Sequence, residues 1–276
     1  MTHILIIEGN TPELLTKIAR QGQSSDSESY QTALYACQSL LNKDQSNTLS
    51  IEIVQPYCND FDLKKLSLEQ VDGVVFTGSS VNWSVDAPEA KPLRDTMAKV
   101  FANCIPTLGS CNGMQMAAVM LGGKVASSPN GRELGMALNI RLTQEGSKHL
   151  IHQGREDDYA CSCVHRDEVS LLPPGAILTA TNNHSPVQAF IYEKDGIQFW
   201  GMQYHPELTP GRIAELVAED GLFSSEAELA NNLKAVDKNP NSESVKHLGI
   251  KSSDLDPKMR MRELTNWLDM IQTSAK

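Results

Sequence analysis

An α/β fold built on a largely parallel sheet is predicted by three features of this chain. Short apolar runs alternate with helix-forming stretches through its first half. The second half is richer in strand-like runs, and 276 residues with 40% hydrophobic content suffice for a sizeable core.

The elements follow in order. His3–Glu8 reads as the first buried strand, with no cationic signal region ahead of it. The serine-rich stretch Arg20–Tyr30 then reads as a loop: either a lid in which Tyr30 or nearby residues reach a bound substrate, or a plain solvent loop. Loops at the carboxyl ends of parallel strands surround active sites in open α/β folds. Ser50–Val54 and Gly73–Thr77 are further strands, and Pro88–Asn103 reads as helical. Cys104–Leu108 begins a short buried strand that runs on to Ser110, and Met116–Leu121 continues as helix.

Between that strand and that helix stands Gly109-Ser110-Cys111-Asn112-Gly113-Met114-Gln115. A sharp strand-to-helix turn needs small residues around its apex. A thiol at a helix N-terminus is also biased towards thiolate by the unpaired N–H groups aimed at it. By residue type alone, a buried structural cysteine explains Cys111 better.

Strands are expected at Ala137–Leu142, Ala160–Val164, Ala176–Thr181, Val187–Ile191 and Gln198–Tyr204. The last ends in Tyr204-His205-Pro206-Glu207, 94 residues beyond Cys111. A nucleophilic cysteine needs an imidazole to take its proton and a third group to fix that imidazole's tautomer. Cys111, His205 and Glu207 suit these roles. Beyond residue 222, helices are expected at Ser225–Ala235 and Pro257–Thr273, the latter with Met261, Leu264, Trp267, Leu268 and Ile271 at helical spacing. The organisation is therefore read as residues 1–222 for a catalytic domain and 223–276 for a helical extension docked on it, with an oligomer contact as the alternative use of that helix.

Together the two segments resemble the class I glutamine amidotransferases, whose nucleophile motif is G-x-C-x-G-x-Q and whose base motif is H-P-E. The resemblance, closest to the amidotransferase portion of GMP synthetase, implies a flavodoxin-like three-layer sandwich with a mostly parallel central sheet. Val71–Ser80 is similar to that family's strand and oxyanion loop, although Thr77-Gly78-Ser79-Ser80 replaces its usual glycine-rich sequence. The resemblance implies backbone donors at Ser79 and Asn112, with Gly78 beside the substrate. It further implies glutamyl contacts from Gln115, from Glu133 in Arg132-Glu133-Leu134-Gly135, and from His165 and Asp167 in His165-Arg166-Asp167.

A formal net charge of −10 and a pI near 5.2 argue against nucleic acid or an anionic membrane as partner. No apolar run approaches the ~20 residues of a membrane span. Six cysteines, at 37, 58, 104, 111, 161 and 163, show no zinc-ligand spacing; reduced thiols in the cytoplasm and catalysis without metal or cofactor are expected. The activity expected is hydrolysis of an N-substituted γ-glutamyl amide through a thioester, in amine catabolism, beside a glutamine-synthetase-like partner. One alternative is a glutaminase subunit that passes ammonia to a separate synthetase. Another is a non-catalytic regulatory or binding protein.

Overall fold

In a computed structural model, which describes residues 1–41, 48–219 and 224–274, strands and helices alternate through the first half of the chain. In order they are β1 (Thr2–Ile7), α1 (Pro12–Arg20), α2 (Asp26–Leu41), β2 (Leu49–Val54), β3 (Gly73–Phe76), α3 (Lys91–Ala102), β4 (Thr107–Ser110) and α4 (Asn112–Met120). The strand-rich part follows, with β5 (Lys124–Ser127), β6 (Glu133–Leu142), β7 (Tyr159–His165), β8 (Asp167–Leu171), β9 (Ile177–Thr181), β10 (Ala189–Lys194) and β11 (Ile197–Met202). Five helices close the chain: α5 (Pro210–Glu219), α6 (Ser224–Lys238), α7 (Ser244–His247), α8 (Pro257–Arg260) and α9 (Arg262–Ser274).

Nine strands form one sheet in the order β2-β1-β3-β4-β11-β10-β9-β6-β7. The five from β2 to β11 are parallel, and the four from β10 to β7 extend the sheet antiparallel. β5 and β8 make a separate two-stranded ribbon. β1 and β3, in the parallel part, are covered on both faces, which is why they read as apolar runs. Alternate residues serve opposite cores: Ile4, Ile6, Val75 and Leu108 pack with Tyr30, Leu34 and Cys37 of α2, whereas Leu5, Ile7, Val74 and Phe76 pack with α3 and α4. The result is the three-layer α/β architecture expected.

Four local expectations need correction. The strand expected from Cys104 starts at Thr107, because Cys104 adopts a left-handed φ of 54° that strand pairing does not accept. The expected helix Pro257–Thr273 is broken at Met261 into α8 and α9. Arg20–Tyr30 is not a lid. Ser25 and Glu28 form a capping box, each side chain accepting from the other's backbone N–H at 3.2 and 2.8 Å, so α2 begins at Asp26. Tyr30 consequently lies on the inner face of α2, fully buried, and does not stand at the cleft mouth. The expected boundary after residue 222 lies outside the described residues.

In α9, Leu264, Trp267, Leu268 and Ile271 face inward and join the α2 side of the core. Trp267 and Ile271 close directly on Gly73 of β3, where a Cβ would meet the indole at 2.9 Å. Segment 257–274 is thus continuous with the central sheet.

Candidate active site

β4 delivers Cys111 to the carboxyl edge of the parallel strands, and α4 starts at the next residue. Cys111 holds φ 47° and ψ −106°, a strained conformation for a non-glycine residue. Its N–H is anchored to the Met202 carbonyl of β11 at 2.8 Å. Glycines beside it answer to close approach: a Cβ on Gly109 would fall 2.7 Å from the Gly113 carbonyl carbon, and one on Gly113 would run into the Phe76 carbonyl of β3. The flanking glycines let strand, turn and helix pack at this distance.

Beyond β11 the chain turns, with the Gln203 N–H bound to the Gln188 carbonyl and the His205 N–H to the Ser162 carbonyl, each at 2.8 Å. The turn presents His205 towards Cys111. Its Nδ1 pairs with Glu207 Oε1 at 2.7 Å, and that oxygen also accepts from Ser110 Oγ at 3.3 Å. Nε2, buried and without another partner, is the nitrogen available to the sulfur. Burial alone would push the imidazole pKa down. Glu207 and Cys111 outweigh it and hold the pKa well above the usual histidine value. A cysteine, a histidine and a carboxylate from sequence-distant segments therefore meet, a set of the kind that nucleophile, base and orienter require.

A cleft of about 280 Å³ opens over these groups. One side carries Gln115 on α4 together with Arg132, Leu134, Val164, His165, Arg166 and Asp167. Gln115 Nε2 donates to the Asp167 carbonyl at 2.6 Å and to Gln203 Oε1 at 3.1 Å, which fixes its amide in the cleft wall. The Asp167 carboxylate is held by Arg166 at 2.9 Å and by Ser127 at 2.9 Å, and the Arg166 bonds keep its pKa low.

Glu133 does not line the cleft. It lies behind His165 and accepts from His165 Nε2 at 2.8 Å, Asn182 at 2.7 Å, Gln188 at 2.7 Å and Cys163 at 3.6 Å. Burial raises its pKa, but these donors, His165 foremost, bring it below the ordinary carboxylate value. Glu133 therefore supports His165 instead of touching a ligand, since a β6 side chain at this register points into the interior. Ligand atoms of Glu133, Cys163 and His165 lie within 4.8 Å of one another, near enough to share a metal ion, yet hydrogen bonds already tie all three together.

The loop after β3 forms the rim. A Cβ on Gly78 would stand 2.7 Å from His205 Cε1, so the loop packs directly on the imidazole edge. Ser79 and Ser80 line the cleft. The Ser80 N–H is already bound to Asn10 Oδ1 at 2.8 Å, and the Val81 N–H to Ser79 Oγ at 3.3 Å.

Asn10 escaped the sequence reading, and Asp26 was read only as part of the Arg20–Tyr30 stretch. Asn10 follows β1 and joins three segments: Nδ2 donates to Glu8 at 3.0 Å and to Asp26 at 2.8 Å, while Oδ1 accepts from the 79–80 loop. Burial and the Asp26 charge push Glu8 up to about 7. The Asp26 pKa is raised as well, mainly by burial and further by Glu207, against the pull of His205. Asp26 lines the cleft beside Leu14, Lys17 and Ile18 of α1 and Leu208 and Leu216. The available signal was positional, because Glu8-Gly9-Asn10 leaves the carboxyl end of a central parallel strand.

Known proteins resemble this chain in sequence and in fold. Residues 34–224 match the family model described as glutamine amidotransferase class-I. A γ-glutamyl-L-1-hydroxyisopropylamide hydrolase from a Pseudomonas species is 29% identical over 97% of this chain and 92% of its own length. A glutamine-hydrolysing GMP synthase from Stenotrophomonas maltophilia is 33% identical, but over 50% of this chain and 25% of its own, so the chain spans about a quarter of that relative. In fold, it is similar to a glutamine amidotransferase from Thermotoga maritima (TM-score 0.58, 17% identity, 98% and 97% of the two chains) and to one from Methylobacillus flagellatus (TM-score 0.59, 16% identity, 97% and 94%). With the family model covering well over half of its length, the chain belongs to the class-I glutamine amidotransferase family and is an enzyme that hydrolyses carbon–nitrogen bonds.

Proposed function

We propose that this enzyme hydrolyses an N-substituted γ-glutamyl amide, with Cys111 as nucleophile, His205 as acid and base, and Glu207 as its orienter. The observation that carries the chemistry is the meeting of a strained cysteine at a helix N-terminus with a buried, carboxylate-bound histidine. The Cys111 sulfur attacks the γ-carbonyl carbon, and the oxyanion accepts from the backbone N–H groups of Ser79 and Asn112. Ser79 is the donor on the loop because the Ser80 N–H is spent on Asn10. Each such donor contributes a factor of roughly 10²–10³ in rate. The His205 imidazolium then protonates the departing nitrogen as the C–N bond breaks, leaving a γ-glutamyl thioester. Neutral His205 next takes a proton from water, whose oxygen attacks the thioester and releases glutamate. Gly78, Gln115, His165 and Asp167 border the glutamyl portion.

Support for a substituted leaving amine comes from the other wall of the cleft. Leu14, Ile18, Leu208 and Leu216 offer apolar surface, with Asp26 and Lys17 as the charged groups among them, a lining suited to an alkyl chain that carries a polar group. Likeness to the γ-glutamyl-hydroxyisopropylamide hydrolase over nearly the whole of both chains points the same way. Residues 1–222 form the catalytic unit in this reading and 223–276 its extension. Making such an amide from glutamate and an amine requires carboxylate activation, so a glutamine-synthetase-like ligase is the partner activity, in cytoplasmic amine catabolism. No helix among the described residues is long and apolar enough to cross a membrane.

The purified chain, incubated alone with glutamine and a series of γ-glutamyl alkylamides and hydroxyalkylamides, tests this by mass spectrometry of the products. Preferred release of a hydroxyalkylamine with glutamate is the expected result. Preference for glutamine would support the ammonia-donating alternative, and absence of turnover with every substrate would support a binding protein.

A further inference from the structure

The His205–Glu207 turn is held from outside the family-matched residues. Arg260, the last residue of α8, donates from Nη1 to the Pro206 carbonyl, between base and orienter, and at 3.3 Å to the Leu208 carbonyl. Its side chain reaches these atoms through the interior, with 9% of the residue exposed. The helix that carries it is fixed at both ends. Asp256 caps its start by accepting from the Lys258 N–H at 2.7 Å. Just after it, Glu263 accepts from Arg155, which leaves little freedom for the guanidinium to withdraw. β11 ends at Met202, so no strand ladder satisfies the Pro206 and Leu208 carbonyls, and Pro206 has no N–H of its own. Both bonds leave the same terminal nitrogen, and a lysine ammonium, one bond nearer the backbone, would fall short of the two carbonyls.

We propose that Arg260 is a positioning residue for catalysis, which fixes the turn bearing His205 and Glu207 and sets the electrostatic balance of that pair. The inference rests on the reading of Cys111, His205 and Glu207 as the reacting triad. Several groups face the pair: Cys111 from the elbow, Asp26 and Tyr30 from α2, Cys161 from β7, and Arg260 itself. The Tyr30 hydroxyl lies buried against Glu207 and Ser110. Arg260 is the guanidinium among them, and a cation beside Glu207 opposes the anionic pull that keeps a proton on His205. The extension beyond residue 224 therefore has a part in the chemistry as well as in packing.

Arg260→Met and Arg260→Lys test it, with two readouts. The first is the pH dependence of Cys111 alkylation by iodoacetamide, which needs no γ-glutamyl substrate. Removing a cation makes neighbouring groups hold their protons more tightly, so Arg260→Met should move the acid limb of alkylation to higher pH. Arg260→Lys keeps the charge and should leave that limb in place. The second readout is turnover: a displaced base should lower kcat by about tenfold to a hundredfold in both variants, with KM changed far less. Melting curves identify a variant that fails to fold; if Arg260→Met does, Arg260→Lys decides by its split between an unmoved limb and a lowered kcat. Equal loss of alkylation at every pH in Arg260→Met, or wild-type kcat in Arg260→Lys, overturns the proposal. If the limb moves as expected but no γ-glutamyl amide is cleaved, the substrate reading fails and the role of Arg260 stands.

Discussion

Cys111→Ala removes the attacking atom and should lower turnover by at least about 10³-fold, measured as release of glutamate, with the melting temperature little changed. Glu207 is the foremost cause that keeps His205 protonated against burial. In the wild type the imidazolium persists beyond the range of an ordinary histidine, so the alkaline limb of kcat should lie above that of a free imidazole, where proton loss passes through the raised pKa. Glu207→Gln deletes that cause, burial then prevails, and the alkaline limb should shift to lower pH. An unshifted limb in Glu207→Gln would separate His205 from the step that limits turnover. Asp26→Asn should cut kcat/KM for hydroxyalkylamides by roughly tenfold, the worth of one polar contact, and leave unsubstituted alkylamides nearly unaffected. Cys111, His205 and Glu207 were legible in sequence because each stands in a contiguous motif. Tyr30 and Glu133 were not, since their placement depends on which way a helix or strand faces, and that is decided by partners such as Ser110 and Gln188 far along the chain.

At the scale of elements, the site is a junction between β3, β4, α4 and the turn after β11, and glycine placement decides whether these approach. Gly113→Ala would drive a methyl into the Phe76 carbonyl, which is backbone and cannot move aside. A destabilisation of about 1–3 kcal/mol is expected from such overpacking, readable in urea unfolding. Gly78→Ala meets the imidazole edge instead, at 2.7 Å. Its effect should fall mainly on kcat by displacing the base, and equal losses of stability in the two variants would contradict this division. β1 and β3 were readable from their apolar runs. α2 was not, because its first turn is polar and buried: Asp26 and Ser27 serve the Asn10 network, and the Ser25-to-Glu28 capping box passed for a loop. The break between α8 and α9 has no proline or glycine to announce it. It falls where Arg260 turns to the His205–Glu207 segment, a contact 54 residues distant in sequence.

For the whole molecule, segment 257–274 is tied to the sheet by apolar packing and by one buried ionic group. Glu263 is fully enclosed and accepts from Arg155 Nε at 2.9 Å, from Arg155 Nη2, and from His152 Nδ1 at 3.1 Å. Arg155 in turn lies 4.4 Å over the Tyr159 ring, whose hydroxyl bonds that of Tyr204, next to His205, at 2.7 Å. Burial pushes the Glu263 pKa up, but Arg155 and His152 outweigh it and bring it to about 2. A carboxylate with a depressed folded-state pKa stabilises the fold above its unfolded pKa, and that contribution fades as pH falls towards the folded value. On the order of 3 kcal/mol is at stake for this shift, so stability should decline from roughly pH 4.5 down to pH 2. Glu263→Gln leaves Arg155 buried without its counter-ion and should cost about 3–5 kcal/mol at neutral pH, while flattening that acid decline. Urea unfolding of both proteins at pH 7 and pH 3 distinguishes the outcomes. If the two lose equal stability between these pH values, acid sensitivity arises elsewhere. A flatter profile in Glu263→Gln, together with lowered turnover under folded conditions, would mean that the group anchoring the extension also holds the framework on which Arg260 and the catalytic turn depend.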